Sequence, residues 1–508
     1  MPTQKTSDAS TDICLLLEGT WPYVRGGVSS WINQMILGMP EVTFSIVFIG
    51  GARDAYPTQQ YAIPDNVKHI EEIYLEDTWL LNSDLPLRVK EPKNSDALDV
   101  FYRFLHAPAA ANAQMAEQML EALVQGELSQ DVVMRSQASW KVLCAGYEQD
   151  CSDPSFIDFF WTLRTMQAPL LALTELAHGL PRARAVHSIS TGYAGFMGCI
   201  LHKLWGCNFI LSEHGIYTKE RKIDLAQAQW IAENPDQKTL RGGLSFDTSY
   251  TRTLWIRFFE RIGLMIYQTA DPIISLFEGN RQRQISDGAD AQRTQVIPNG
   301  IKLEAWQGVI SNRQVNATPI IGLIGRIVPI KDIKTFIRSL RSVVSSIPQV
   351  QAWIVGPEEE DPDYVSECRS LVSSLGLQKQ VKFLGFQNIK DILPKLDVMV
   401  LTSISEAQPL VILEAWAAGT PVVATDVGAC RELLYGISED DQAIGPAGEV
   451  IEIADPQAVA RSICAILSDH DYWQTLQSNG LARVNRFYGE ALMLDRYRAL
   501  YHHAIERL

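Results

Sequence analysis

Several features are missing from this sequence of 508 residues, and each absence argues against a class of protein. There is no excess of basic residues, because 44 Lys and Arg stand against 59 Asp and Glu, for a net charge of −15. This balance argues against a nucleic-acid partner and against general binding to anionic membranes. The eight cysteines form no C-x-x-C pair, so we expect free, mostly buried thiols and neither a disulfide framework nor a zinc site.

No apolar run approaches the ~18–20 residues of a membrane span, and residues 1–11 are polar, without the apolar core of a signal peptide. We therefore expect a cytoplasmic protein with no transmembrane segment of its own. The turn after the first predicted strand has no G-x-G-x-x-G, so dinucleotide binding is not indicated. With 46% hydrophobic and 20% charged residues, the composition is that of a soluble globular protein of several domains.

The most informative stretch of the sequence is a predicted strand, loop and helix near residue 400. Residues 397–401 are typical of a buried parallel strand, and Pro409 suits the first turn of a helix that Gly419 ends. Glu406 lies just before this helix and Glu414 about a turn and a half inside it. Such a cleft edge offers carboxylates to sugar hydroxyls and a helix N-terminus to a diphosphate. Taken alone, the spacing also fits a helix-start carboxylate and a solvated glutamate.

The first part of the chain alternates strands and helices, with strands predicted at 12–17 and 44–49. A glycine pair, Gly26 and Gly27, separates the first strand from a helix at 28–39, and glycine there lets the backbone approach a ligand. From about 75 to 180 helical periodicity dominates, which predicts a helical insertion. The alternative for the glycine pair is a plain turn without a ligand.

Two later strands are each predicted to lead into a loop that holds a histidine, His187 in one and His214 in the other. Ligands bind at the carboxyl edge of parallel sheets, where both loops should open. Tyr217 and Arg221 follow His214 closely, which makes this second loop the stronger candidate. The apolar residues 255–267 predict an amphipathic core helix, with an interfacial helix as the alternative.

The second half repeats the alternating pattern after a turn at 299–300. We predict an α/β protein with an N-terminal Rossmann-like domain at 1–310, a C-terminal one at 311–485, and a helix at 486–508 that packs back on the first. Arg326 and Lys331 follow the first strand of the second domain and suit a diphosphate. The loops at 326–331, 403–409 and 425–429 should face one edge of its sheet.

These motifs resemble those of the retaining GT-B glycosyltransferases of family GT4. The resemblance rests on the Glu406 and Glu414 pair, on the glycine pair, and on two motifs, Gly325-Arg-Ile-Val-Pro-Ile-Lys331 and Ile297-Pro-Asn-Gly300. Tyr23-Val-Arg-Gly-Gly-Val-Ser-Ser-Trp31 and Ser212-Glu-His-Gly-Ile-Tyr217 resemble, more narrowly, the cytosolic PelF group of Pel exopolysaccharide synthesis. The fold that this resemblance implies is GT-B, with two Rossmann-like domains facing across a cleft.

The resemblance also implies roles for individual residues. His214, Arg326, Lys331 and Glu406 would be catalytic. Gly26, Gly27, Arg326, Lys331, Glu406, Pro409, Leu410 and Glu414 would bind the UDP-sugar donor, and His187, Tyr217 and Arg221 would lie on the acceptor side. No metal and no cofactor are expected, since the two cations would neutralise the departing UDP. Ala407 stands where many members of the family carry glycine.

The implied reaction is transfer of a hexose or N-acetylhexosamine to a growing exopolysaccharide, with membrane-embedded synthase or export partners and no nucleic acid. Docking to those partners would involve the helical insertion or the region around Trp255. Two other readings of the same residues stay open: a UDP-sugar epimerase of the same fold, and a non-catalytic UDP-sugar-binding component of a synthase complex.

Overall fold

The computed structural model describes residues 11–79, 91–92, 95–109, 111–151, 155–227, 250–310 and 318–506. The chain divides into two compact units. Unit 1 comprises Met1–Ser275, Arg281–Gln295 and Tyr497–Leu508, and unit 2 comprises Leu276–Asn280 and Val296–Arg496.

Unit 1 is built on a seven-stranded sheet whose central strands are apolar and buried on both faces, as parallel strands covered by helices must be. The strands are β1 (Thr11–Glu18), β2 (Phe44–Gly50), β3 (Val67–Tyr74), β4 (Ala183–Ser188), β5 (Asn208–Glu213), β6 (Ile273–Ser275) and β7 (Thr294–Val296). Their order is β3-β2-β1-β4-β5-β6-β7, and the pairs from β3 to β6 run parallel. The order changes direction between β1 and β4, which is where an open α/β sheet binds its ligand.

The helices of unit 1 include a group of five inserted between β3 and β4, which agrees with the predicted helical insertion. The helices are α1 (Gly27–Gly38), α2 (Asp96–His106), α3 (Ala113–Val124), α4 (Gln130–Arg135), α5 (Gln137–Asp150), α6 (Phe156–Ala177), α7 (Tyr193–Trp205), α8 (Tyr217–Gln227) and α9 (Tyr250–Thr269), with α10 (Glu278–Ser286) between β6 and β7. The insertion shares one hydrophobic core with α7 and α9. Strand β3 escaped the sequence analysis because it is an edge strand of half-buried, largely charged residues.

Helix α9 is a core helix, as the preferred interpretation of residues 255–267 has it. Trp255, Phe258 and Ile262 are all buried. Arg257 and Arg261 donate to the backbone carbonyls of His106 (2.5 Å) and Ala109 (2.8 Å) and so tie α9 to the insertion. Trp255 itself is buried, and docking of a partner to the region around it stays a prediction.

Unit 2 repeats the architecture with a six-stranded parallel sheet. Its strands are β8 (Ile320–Ile324), β9 (Gln351–Val355), β10 (Val381–Gly385), β11 (Val398–Leu401), β12 (Val422–Thr425) and β13 (Gly448–Ile451), in the order β10-β9-β8-β11-β12-β13. Its helices are α11 (Ile333–Ser346), α12 (Pro362–Ser374), α13 (Ile389–Ile392), α14 (Leu410–Ala417), α15 (Cys430–Tyr435), α16 (Glu439–Gln442), α17 (Pro456–Ser468) and α18 (His470–Phe487). Helix α19 (Glu490–Glu506) begins in unit 2 and continues into unit 1. The change of direction lies between β8 and β11. The predicted fold class, two Rossmann-like parallel-sheet units, is confirmed.

The boundary between the units differs from the predicted one at residue 310. The chain passes between the units at 275/276, 280/281, 295/296 and 496/497. Residues 296–310 belong to unit 2 because their apolar side chains, such as Ile301 and Trp306, pack in its core. Tyr497 and Tyr501 of α19 belong to unit 1, where both are buried.

None of the eight cysteines, which all lie among the described residues, forms a disulfide, and five of them are buried, as predicted. No helix among the described residues is long and apolar enough to cross a membrane.

Candidate functional site

The carboxyl ends of β8 and β11 place the basic and acidic residues of unit 2 side by side. Lys331 ends a short 3-10 turn after β8, and Glu406 lies in the loop after β11. Lys331 Nζ lies 2.5 Å from Glu406 Oε1, and the side chains of both residues are less than one-fifth exposed. Because this is the point where the strand order reverses, the pair occupies the position at which such sheets bind ligands.

Buried hydroxyl groups fix both members of this pair. Ser403 Oγ donates to Glu406 Oε1 at 2.6 Å. Thr402 Oγ1 donates to the carbonyls of Lys331 (3.1 Å) and Asp332 (2.9 Å), which anchors the first loop on the end of β11. The sequence analysis assigned no role to Ser403 or Thr402. A role could have been predicted from the sequence, because two hydroxyl residues directly follow an apolar strand there.

The three predicted loops of unit 2 do meet at one edge. Ile404 N donates to Ile330 O at 2.8 Å, and Ala429 N donates to Ala407 O at 2.8 Å. Gly428 has φ +53°, and a Cβ added there would lie 2.2 Å from the carbonyl oxygen of Glu406. Only glycine therefore permits this approach of the 425–429 loop to the 403–409 loop.

Arg326 lies on the same edge, where it forms an ion pair with a carboxylate. Its Nη1 lies 2.6 Å from Glu360 Oε1, in the loop after β9, and both side chains are about half exposed. An exposed ion pair of this kind contributes only about 0–1 kcal/mol. An anion with higher charge can therefore displace Glu360 from the guanidinium at small cost.

Helix α14 begins at Leu410, so Pro409 is the residue that precedes the helix and not its first turn. The helix ends at Ala417 with Ala418 as its C-cap, and Gly419 follows with φ +72°, as predicted. Glu414 lies partly buried on α14, and burial raises its pKa to about 7, against a smaller opposing effect of Lys390. A carboxyl group held near its pKa at neutral pH is a common feature of functional sites.

In unit 1, Gly26 and Gly27 lie where the sequence predicts them, at the N-terminus of α1. Both are exposed, and a Cβ added to either would meet nothing within 4 Å. The backbone here is thus open to a ligand, although no contact in the protein requires glycine at either position.

His214 follows β5 and packs edge-on against Trp31, with ring centroids 4.5 Å apart. It is only 8% exposed, and its Nε2 has no hydrogen-bond partner among the described residues. Burial lowers its pKa to about 4, so the ring is neutral at physiological pH. An unpaired buried nitrogen is costly in a folded protein unless it serves a ligand or a bound water.

His187 corrects the prediction of an acceptor-side loop residue. It lies inside strand β4 and is fully buried. Its Nδ1 pairs with Tyr501 Oη and its Nε2 with Ser212 Oγ, both at 2.8 Å. Burial lowers its pKa to about 3. With both nitrogens engaged and no exposure, His187 helps to fasten the C-terminal helix α19 within unit 1.

Tyr217 and Arg221, the other acceptor-side candidates, converge on a residue that the sequence analysis missed. Tyr217 Oη donates to Glu18 Oε1 at 2.7 Å, and Arg221 Nη2 lies 3.7 Å from the same oxygen. Ser190 Oγ donates to the other oxygen of Glu18 at 3.2 Å. Glu18 ends β1, beside the point where the strand order of this sheet changes direction. A carboxylate at the end of the first strand is the sequence feature that could have identified it as a site residue.

Among the residues that the structure describes, no group of three or more His, Cys, Asp or Glu side chains could hold a metal ion. Unit 2 presents Arg326, Lys331 and Glu406 at one sheet edge, and Glu414 lies on the helix that follows. This arrangement can bind a phosphorylated, polyhydroxylated ligand. Unit 1 presents a second polar edge of carboxylate, phenol and guanidinium.

Residues 11–292 match the family described as "Domain of unknown function (DUF3492)", over more than half of the chain. The chain belongs to this family. Residues 318–469 match the family described as "Glycosyl transferases group 1".

Parts of the chain are similar to curated enzymes. The lipopolysaccharide core biosynthesis mannosyltransferase LpsB of Rhizobium meliloti is 32% identical over 201 residues, which are 38% of this chain and 55% of LpsB. Alpha-maltose-1-phosphate synthase of Mycolicibacterium smegmatis is 27% identical over 292 residues, 54% of this chain and 68% of that enzyme. The match to LpsB thus spans about half of that relative's length.

The whole chain is similar to solved two-domain structures. HepE of Anabaena in complex with UDP matches with a TM-score of 0.58 and 17% identity, over 97% of this chain and 99% of HepE. At this identity the likeness concerns the fold, which is GT-B.

Proposed function

We propose that this protein is a UDP-sugar-dependent glycosyltransferase. The observation that carries the proposal is the Lys331–Glu406 pair at the direction change of the unit 2 sheet, with Arg326 on the same edge and Glu414 on the adjoining helix. The group 1 glycosyltransferase match over this unit and the UDP bound to HepE support it. The donor would be a UDP-hexose or a UDP-N-acetylhexosamine.

Binding of a donor diphosphate would exchange ion pairs at this edge. The diphosphate would take Lys331 and Arg326 from their present carboxylate partners, Glu406 and Glu360. Glu406 would then be free to accept hydrogen bonds from the hydroxyl groups of the donor sugar. Glu414 would accept from the ribose hydroxyls, while Pro409 and Leu410 present the start of α14 to the phosphates.

The catalytic contribution of the two cations follows from the charges of the reaction. Cleavage of the anomeric bond leaves positive charge on the sugar and adds negative charge to the UDP phosphate. Lys331 and Arg326 would therefore stabilise the transition state more than the bound donor. We propose that they replace a metal ion and that transfer retains the anomeric configuration, with no protein nucleophile.

Unit 1 would supply the remaining groups. His214, neutral and with a free Nε2, would face the donor sugar, and the backbone at Gly26 and Gly27 would approach the phosphates. Tyr217 and Arg221, held by Glu18, would contact the saccharide acceptor.

The acceptor that we propose is a growing chain of the Pel type of exopolysaccharide. The proposal rests on the two first-half motifs that resemble the PelF group. A polymer that leaves the cell must cross a membrane, so we propose that the protein works in the cytoplasm, recruited to the inner membrane face by membrane-embedded synthase or export partners.

The test is UDP release by the purified protein from UDP-glucose, UDP-galactose, UDP-GlcNAc and UDP-GalNAc, with and without EDTA. We expect release from one donor, unchanged by EDTA and lost in a Lys331→Ala, Glu406→Ala double variant. The matched control is Lys334→Ala, which removes a lysine paired with Glu367 on the neighbouring helix and should keep activity.

The products distinguish this function from its alternatives. An epimeric UDP-sugar without free UDP would identify an epimerase. Binding of UDP without release from any donor, even when saccharide acceptors are added, would identify a non-catalytic UDP-sugar-binding component.

A further inference from the structure

A cavity of about 310 Å³ lies within unit 2, beside the loop that carries Glu406. Its walls are mainly apolar and come from separate parts of the chain, and they include Leu276, Val296, Ala429, Leu433, Ile437 and Tyr488. A cavity of this size is large enough for a small organic molecule. None of the residues proposed above to bind the donor lines it.

Both carboxylates that line this cavity already accept hydrogen bonds from the protein. Glu432 accepts from the backbone N–H groups of Glu278 (2.9 Å) and Gly279 (2.8 Å). Asp441 accepts from the guanidinium of the buried Arg483 at 2.6 Å. Asp441 is therefore neutralised by a cation, and both oxygens of Glu432 are occupied by N–H groups.

Among the other polar groups of the lining, Arg496 offers a cation. Both polar atoms of the Gln408 amide have a partner, because its oxygen accepts from Asn299 N at 2.7 Å and its nitrogen donates to Asn299 O at 3.4 Å. Arg496 is exposed and makes no hydrogen bond or ion pair with any residue that the structure describes. A ligand in this cavity thus meets apolar walls and a guanidinium. Such surroundings select a molecule with an apolar body and one anionic group.

The cavity is directly connected to the proposed donor site. Gln408 lines the cavity and follows Glu406 by two residues in the same loop. Ala429, in the cavity wall, donates its N–H to Ala407 O. In addition, Leu276, Val296 and Arg496 line the cavity at points where the chain passes between the two units.

We propose that this cavity is an effector site for an amphipathic anion, and that its occupancy changes the affinity of the donor site for UDP. The effector role rests on the proposed function of the donor site. The binding of the anion does not, because it depends only on the cavity.

The experiment uses the full chain and 8-anilinonaphthalene-1-sulfonate, an apolar anion whose fluorescence reports binding. We expect one saturable site, from which decanoate or decyl phosphate displaces the probe. The more effective competitor tells whether the natural anionic group is a carboxylate or a phosphate. Failure of both to displace it would overturn the assignment.

Two variants connect the signal to this cavity. Ile437→Trp places a larger side chain at a lining position that is 44% exposed, and it should abolish probe binding. Arg496→Gln should weaken binding about two- to fivefold. Ile453→Trp and Arg461→Gln change exposed residues elsewhere in unit 2 and should leave binding unchanged. Equal affinity in all four variants would overturn the assignment.

The effector role is read from UDP titrations with and without decanoate. Coupling should change the Kd of UDP about fivefold or more, and UDP must change the Kd of decanoate by the same factor. An unchanged Kd of UDP would overturn the effector role. A protein that binds the probe at this cavity but binds no UDP would contradict the proposed function, and the cavity assignment would stand.

Discussion

Glu414 should make the protein less stable at neutral and alkaline pH than it is in acid. Its pKa is raised from 4.5 to about 7 because the carboxyl group is largely desolvated on α14. One pKa unit corresponds to about 1.4 kcal/mol, so the full effect is about 3 kcal/mol. That is a sizeable fraction of the stability of a typical domain.

The direction of this pH dependence follows from the number of protons bound in the folded and in the unfolded state. Between pH 4.5 and about 7 the folded protein keeps the proton on Glu414, whereas the unfolded chain has released it. The free energy of unfolding therefore falls as the pH rises through this window and stays lower above it. The favourable contribution is fully present only below pH 4.5.

Glu414→Gln removes this titration and keeps the shape of the side chain. Relative to wild type, the variant should gain up to about 3 kcal/mol at pH 8 and nothing at pH 4.5. We would measure urea unfolding of both proteins at several pH values by tryptophan fluorescence. The variant should also bind UDP more weakly, since it would lose the carboxylate acceptor for the ribose.

The control is Glu452→Gln, which neutralises an exposed glutamate of the same unit and should show no such pH-dependent gain. If Glu414→Gln and wild type differ by the same amount at pH 4.5 and pH 8, burial does not shift this carboxyl group and the reasoning fails. A stabilised variant with unchanged UDP affinity would refute only the ribose contact.

Three further predictions concern the surroundings of the two sheet edges. Gly428→Ala should abolish UDP binding, measured by calorimetry, because its Cβ would lie 2.2 Å from the carbonyl of Glu406; normal binding would show that the loop yields. Arg483→Met should cost about 3–5 kcal/mol in urea unfolding, because it leaves Asp441 buried and unpaired; a loss below 1 kcal/mol would contradict this. His187→Phe should cost about 1–3 kcal/mol and leave UDP release unchanged; lost activity in a folded variant would restore the acceptor role.

The fold was predictable because its central strands are continuous apolar runs. Strands β8, β9 and β11 are buried on both faces, so their composition alone distinguishes them from helices and loops. Two strands were missed because their composition differs from that of the central strands. β3 and β13 are partly exposed and carry charged residues, and nothing in their local sequence separates them from a loop.

Site residues were predictable from the sequence where a charged side chain directly follows a predicted strand. Lys331 and Glu406 each follow an apolar strand, and the topology then brings the two loops together. The prediction for His187 failed for a physical reason, since a histidine at a strand end and a histidine inside the strand have the same local sequence pattern. The two cases differ in tertiary contacts. Here the hydroxyl of Tyr501, more than 300 residues away, forms a hydrogen bond with Nδ1 of His187.

The ion pairs at the unit 2 edge account for how an acidic protein can keep a site for an anion. Lys331 is largely buried, and an unpaired ammonium there would cost several kcal/mol, but Glu406 neutralises it at 2.5 Å. A bound diphosphate that takes over Lys331 would leave Glu406 without its counter-charge. Sugar hydroxyls adjoining the diphosphate would compensate this loss, whereas UDP alone would not. The same pair would thus favour an intact UDP-sugar over its product UDP, which is what a transferase needs for turnover.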